Sequence, residues 1–140
     1  MIYWQHLTRQ ANEAQSKASY VDAHELNQKA LACAKATFQS DFDNDAESAV
    51  SAIIVSYLNL AEVSVCLKEW LQADNYFSQG VSFLETVINE PSLLNDDRAL
   101  IDRTASHIRF EWDLFKQTYA AKLQAGQRLR HVVMNRAAIG

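Results

Sequence analysis

Histidine, cysteine and clustered carboxylates are the side chains of this 140-residue chain that could bind a metal ion. No histidine stands four residues from another histidine or from a cysteine, so the spacing of a helical zinc pair is missing. Asp41, Asp43 and Asp45 alternate as calcium ligands do, but Ala46 and Ala52 occupy the places of the turn glycine and the distal glutamate. We therefore expect no metal and no cofactor, and we interpret the aspartates as a solvated loop that ends in a helix cap.

Nucleophilic and acid–base chemistry finds little support in the sequence. Cys33 and Cys66 lie in apolar surroundings, and we interpret both as small buried hydrophobic residues. The chain has neither a Gly-x-Ser-x-Gly motif nor a phosphate-binding glycine loop. Glu62 and Glu111 stand inside helices, where carboxylates more often face a groove or pair with a cation than catalyse a reaction. These observations predict a protein that is not an enzyme.

The segment 23–28, Ala-His-Glu-Leu-Asn-Gln, resembles the phosphate-accepting helix of histidine-phosphotransfer bundles. That resemblance implies phosphoryl transfer through His24, which we keep as an alternative function. Asn27 and Gln28, however, stand in place of the lysine that would hold the phosphate and the glycine that would admit the partner. We therefore expect His24 to be a solvated helix residue.

Turn-forming residues are scarce, since the chain has three glycines and one proline. This argues against turn-rich β folds and against nucleotide folds built on glycine loops. Apolar residues instead recur at helical spacing along nearly the whole chain, which predicts an all-α fold. The N-terminus lacks the basic and apolar regions of a signal peptide, and the most apolar run, Ala49–Leu58, is shorter than the roughly 20 residues of a membrane span. We expect a cytoplasmic protein with no membrane contact.

Charge is distributed unevenly along the chain. All 17 acidic residues lie at or before Asp113. The charged residues after Asp113 are all lysines or arginines. Arg128, Arg130 and Arg136 form a basic arm in the last segment, 127–140. The arm either lies on the acidic body of its own chain or binds an acidic protein. The lack of aromatic residues beyond Tyr119 argues against nucleic acid as a partner.

The helical spacing predicts five helices. Their expected ranges are about 2–19, 22–38, 46–68, 72–89 and 96–123. The polar run Ser40–Asp45 is the clearest break, and Asp45 is the expected cap of the third helix. Ala125–Gly126 is the expected end of the fifth helix, after which the chain either forms a sixth helix or frays.

Two parts of the chain match when the sequence is shifted by fifty residues. The matched pairs are Leu7 with Tyr57, Ala11 with Ala61, Tyr20 with Trp70, Ala23 with Ala73, and Ala30 with Gly80. In both copies an aromatic residue in the turn is followed three positions later by alanine, and seven positions further on by a small residue. Small residues at this spacing let two helices cross closely, so we expect Ala61, Ala73 and Gly80 at a helix–helix contact.

The second copy resembles the tetratricopeptide repeat (TPR) family. It reads Tyr57-x2-Leu60-Ala61 and then Trp70-x2-Ala73-x3-Phe77-x2-Gly80, whereas the first copy has Asn27 in place of an aromatic residue. The resemblance implies a TPR-like right-handed superhelix of five to six antiparallel helices within a single domain, 1–126. Its hairpins would span about 2–40 and 46–89, with the long helix at about 96–123 as a cap.

The same resemblance implies a protein–protein interaction module, an adaptor or scaffold whose partner is another protein or a peptide. Its concave groove would be lined by the first helix of each hairpin. The groove candidates are Gln5, Thr8, Asn12, Gln15, Val55, Leu58, Glu62 and Val65. A self-associating structural protein, for example a homodimer that buries the exposed ends of a short array, is a further alternative.

Overall fold

The structure, a computed structural model, describes residues 2–139, with side chains up to Arg136. All secondary structure in that range is helical, which confirms the all-α prediction. The helices are α1 (Ile2–Ser16), α2 (Tyr20–Ala36), α3 (Phe38–Asn44), α4 (Ala46–Cys66), α5 (Trp70–Ile88), α6 (Asn95–Thr118) and α7 (Ala120–Ile139).

The central helix of the fold is α4, which packs against α2, α3 and α5 and more lightly against α1 and α6. Its apolar residues surround the helix, so it can be buried from several sides. Val50, Ile53 and Leu60 are among its fully buried side chains. By length and composition α4 could also cross a bilayer, although 61% of its apolar stretch is buried inside the fold. A central core helix passes the same compositional test as a membrane span.

The pairs α1–α2 and α4–α5 are joined by turns that have the same backbone structure. Ala18 and Lys68 each adopt a left-handed conformation, with φ of 58° and 60°. The next amide in each turn donates a hydrogen bond five residues back, Ser19 to Ala14 and Glu69 to Ser64, at 2.8 Å in both cases. These are Schellman-type helix ends. Because the turns are short, the helices of each pair run antiparallel.

The helix crossings are made by small residues, as the repeat predicted. Ala61 and Ala73 are fully buried. Gly80 is also buried, and a Cβ built on it would lie 2.5 Å from Cδ1 of Ile108 and 3.5 Å from Cβ of Tyr57. A side chain at this position would therefore require the end of the Ile108 side chain on α6 to move, whereas the distance to α4 is an ordinary contact.

The prediction of a solvated loop at Ser40–Asp45 is wrong, because α3 occupies most of it. Phe38 and Phe42 lie four residues apart on one face of α3, and the Phe38 ring meets the Phe83 ring edge-on at a centroid distance of 5.0 Å. Partial burial of these rings stabilises a helix that local propensity does not favour. Asp45 is the N-cap of α4, as expected, since its side chain accepts hydrogen bonds from the amide and hydroxyl of Ser48.

The expected helix end at Ala125–Gly126 is also wrong. The break between α6 and α7 lies at Tyr119, whose ring stacks on Trp70 at a centroid distance of 4.8 Å. Gly126 lies inside α7 because it packs against the side chain of Leu71 at the start of α5. Residues 127–139 continue the helix α7.

Candidate interaction surfaces

The first candidate site is a groove between α1 and α4, the first helices of the two pairs. The indole nitrogen of Trp4 donates a 2.8 Å hydrogen bond to Oγ of Ser56, and Ser56 Oγ in turn donates to the carbonyl of Ala52. This chain of bonds fixes α1 beside α4. Beyond it the two helices leave a cavity of about 360 Å³, lined by Asn12, Gln15, Ser16, Tyr20, Glu62 and Cys66.

Three of the predicted groove residues, Asn12, Gln15 and Glu62, come together in this cavity. Tyr20 and Cys66 also line it, and no sequence pattern indicated either residue. Cys66 is exposed and Cys33 is half-buried, so the expectation that both cysteines are buried is wrong. The last turn of a helix leaves one side open to solvent, which places Cys66 at the cavity wall.

The other predicted groove residues do not line this cavity. Gln5 and Val55 are exposed, while Thr8 is half-buried. Leu58 and Val65 are partly buried and pack against the hydrophobic core. These two residues therefore belong partly to the core, because α4 is covered on more sides than its repeat register alone implied.

His24 is not the solvated residue that we expected. It is half-buried, and its Nε2 lies 2.9 Å from the hydroxyl of Tyr76, which is only 5% exposed. The contact joins α2 to α5. Tyr76 is fifty-two residues from His24 in the sequence, so no local pattern indicated this contact.

Asn27 is buried to 1% exposure, and neither polar atom of its amide has a hydrogen-bond partner. It occupies the place in the first copy where the second copy has Phe77. A buried amide without partners costs free energy that an apolar residue would not. The burial follows from the repeat register, but the missing partners could not be read from the sequence.

The aspartates of the predicted loop bind groups of the protein itself. Asp41 accepts a 2.6 Å hydrogen bond from the hydroxyl of Thr37, and Asp43 accepts one from the amide of Gln39. The hydrogen bonds from Ser48 hold the pKa of Asp45 below its ordinary value. Among the residues whose side chains are described, no three His, Cys, Asp or Glu residues lie close enough to hold a metal ion.

A second cleft lies at the end of α5 that is far from the α4–α5 turn, and no sequence pattern indicated it. Its volume is about 630 Å³. Aromatic rings from α3 and α5 line it together with three carboxylates. The lining residues include Phe38, Phe42 and Phe83, together with Asp43, Glu90 and Asp97.

The third surface is formed by α7 and the start of α5. Leu123 is the buried anchor of α7, and residues from Leu129 onward are exposed up to Arg136. Leu129, Arg130, Val133 and Met134 line a cavity of about 600 Å³ whose other side is formed by Trp70 and Leu71. The predicted basic arm, Arg128, Arg130 and Arg136, is exposed, and none of its members forms an ion pair with a residue of the described range.

The fold and these surfaces define an all-helical protein built from antiparallel helix pairs. The family model described as "Protein of unknown function (DUF2753)" matches residues 3–136. The chain therefore belongs to the DUF2753 family. No curated protein and no solved structure matches it.

Proposed function

We propose that this chain is a TPR-like interaction module, an adaptor without catalytic activity that binds a protein or peptide in the groove between α1 and α4. The groove is the observation that supports this proposal, because polar side chains from the first helices of both pairs line it. Asn12 and Glu62 are exposed within it.

The packing order of the helices supports a TPR-like superhelix. The first helix of the second pair, α4, packs mainly on α2 and only lightly on α1. The next helix, α6, stands in the same relation to the second pair, since it packs mainly on α5 and lightly on α4. A packing step that repeats in this way generates a solenoid with the first helices along one face.

The chemistry of the groove suits an extended peptide. The side-chain amides of Asn12 and Gln15 can donate to and accept from a peptide backbone. Glu62 adds a negative charge on the facing helix, which favours a lysine or arginine in the bound segment. We therefore propose that the partner presents a basic, extended segment and that the module acts in the cytoplasm.

The proposal can be tested by placing a photo-crosslinking amino acid at Asn12 or Glu62 and, as a matched control, at Gln28 on the exposed side of α2. We expect both groove positions to crosslink the same protein in cells, and the control position not to. Binding of that purified protein should be lost in the Glu62→Arg variant, with the helical circular dichroism unchanged. Equal crosslinking from all three positions would contradict the proposal.

The alternative in which His24 accepts a phosphoryl group has less support. Its Nε2 is engaged by the Tyr76 hydroxyl, so the nitrogen would have to give up a partly buried hydrogen bond before it could react. Incubation with an acyl phosphate, followed by intact mass measurement, should give no phosphorylated protein. Phosphorylation that is abolished by His24→Gln would favour this alternative.

A further inference from the structure

We propose that copies of this chain associate head to tail, with the C-terminal part of α7 from one copy docked in the aromatic cleft between α3 and α5 of the next. This contact is separate from the groove between α1 and α4. It joins two surfaces of opposite charge that lie towards opposite ends of α5.

The cleft has the chemistry to receive a basic, apolar helix. Phe38, Phe42 and Phe83 offer apolar surface and ring faces that attract cations. Asp43, Glu90 and Asp97 supply three carboxylates along the walls. The guanidinium of Arg98, which follows Asp97, is committed to the carbonyl of Ile88 by a 2.7 Å hydrogen bond and so caps the end of α5.

The exposed part of α7 has the complementary chemistry. Leu129, Val133 and Met134 are 67%, 59% and 61% exposed, although they are large apolar side chains. Arg128, Arg130 and Arg136 are interleaved with them, and this part of the helix contains no acidic residue. An apolar helix that also carries arginines is complementary to a groove lined by aromatic rings and carboxylates.

An α7 helix that occupies the cleft belongs to a second copy. Gly126 packs on Leu71, at the start of α5, and Leu123 is buried. The cleft lies at the other end of α5, where Phe83, Thr86 and Val87 line it together with residues after the helix. No described side chain of α7 lines the cleft of its own chain, and Leu129, Val133 and Met134 instead line the cavity beside Trp70 and Leu71.

The charges also favour a head-to-tail contact over a symmetric one. A twofold dimer through α7 alone would place the arginines of the two copies against each other. A contact between different surfaces leaves one cleft and one α7 free at the ends, so the assembly grows or closes into a ring. Its affinity should fall as salt rises, because both surfaces are exposed to solvent.

The test uses two full-length variants whose surfaces are neutralised separately. In one, Asp43→Asn, Glu90→Gln and Asp97→Asn alter the cleft. In the other, Arg128→Gln, Arg130→Gln and Arg136→Gln alter α7. A control variant, Glu13→Gln, Asp22→Asn and Glu25→Gln, removes three acidic residues far from both surfaces and includes one in the first turn of a helix, as Asp97 is. Urea titration confirms that each variant folds.

Sedimentation equilibrium at low salt should show a mass that rises with concentration for the unaltered chain and the control variant. Each neutralised variant alone should associate about tenfold more weakly or not at all. An equimolar mixture of the two should form a one-to-one dimer and stop there, since only one intact cleft and one intact α7 can meet.

Three results would overturn the proposal. The first is a monomeric unaltered chain at every concentration. The second is a control variant that dissociates as far as the cleft variant does. The third is a chain that remains monomeric but binds vesicles containing phosphatidylserine through Arg128, Arg130 and Arg136, since α7 would then be a membrane-surface helix.

Discussion

Asn27 is the side chain whose surroundings fit its chemistry least. Its amide is buried within the first helix pair without a hydrogen-bond partner, at a place where the second pair has an aromatic ring. An unsatisfied buried amide costs about 1–3 kcal/mol relative to a paired one. The residue therefore lowers the stability of the first pair relative to the second.

We predict that Asn27→Leu stabilises the protein by about 1 kcal/mol, because leucine has a similar size and needs no partner. The measurement is the free energy of unfolding from urea titration. Gln28→Leu is the matched control, since it adds a leucine at the next, exposed position of α2. It should change the free energy of unfolding little. A destabilised Asn27→Leu variant would mean that the amide is satisfied in solution.

The carboxylate of Asp45 should make the stability of the fold depend on pH. The hydrogen bonds from Ser48 lower its pKa in the folded state, so the ionised carboxylate stabilises the fold above the pKa of the unfolded chain. This contribution is lost as the pH falls through the lower, folded-state pKa. Asp45→Ala should therefore lower the melting temperature at pH 7 and have a progressively smaller effect below about pH 4.

The Asp45 prediction is checked by thermal melts of both proteins between neutral and acidic pH. Asp43→Ala provides the control, since Asp43 is exposed and accepts only a side-chain hydrogen bond from Gln39. It should show a smaller difference at pH 7. A loss that is equal at pH 7 and at acidic pH would contradict the role of the ionised cap.

At the scale of helices, the α1–α2 and α4–α5 turns both place a residue other than glycine in the left-handed region. Ala18 and Lys68 are exposed and stand at the helix ends where glycine is the preferred residue. The strain is present in both copies of the repeat, so it is a property of the turn geometry. Relieving it should stabilise the adjoining helix pair.

Lys68→Gly should raise the free energy of unfolding by about 0.5–1 kcal/mol, since relief of the strained φ exceeds the added entropy of the unfolded chain. Lys29→Gly is the matched control, because Lys29 is an exposed lysine inside α2. That substitution should lower the free energy of unfolding by about 1 kcal/mol. If both variants lose stability equally, the left-handed turn does not exist in solution.

At the scale of the whole molecule, α7 contributes one buried side chain, Leu123, to the core among its described residues. Leu123 is buried and Gly126 packs on Leu71, but the described side chains after Gly126 are exposed. We predict that truncation after Gly126 leaves the urea midpoint of the monomer nearly unchanged. The truncation should instead weaken the association between copies of the chain, which depends on Arg128, Arg130 and Arg136.

Truncation after Thr118 is the comparison, because it also removes Tyr119 and Leu123. Tyr119 stacks on Trp70 and contacts the ring of Phe115, so this shorter chain should lose several kcal/mol of stability through lost apolar burial. If truncation after Gly126 lowers the midpoint as strongly, the end of α7 is part of the core.

Most helices could be predicted from the sequence because helix formation depends on neighbours three and four residues apart. Apolar spacing indicated α1, α2, α4, α5 and α6, and Asp45 was recognised as a cap from its type and position. The fifty-residue match anticipated that both pairs would share small residues at their crossings. In each case the deciding interactions lie within one helix or between adjacent helices.

Tertiary packing decided the features that join distant parts of the chain. Helix α3 depends on Phe83, the bond of His24 depends on Tyr76, and the break at Tyr119 coincides with its stacking on Trp70. Of the predicted groove residues, Asn12, Gln15 and Glu62 line one cavity. Leu58 and Val65 instead pack against the hydrophobic core. The aromatic cleft could not be foreseen for the same reason: its walls come from segments whose distance is set only when the helices pack.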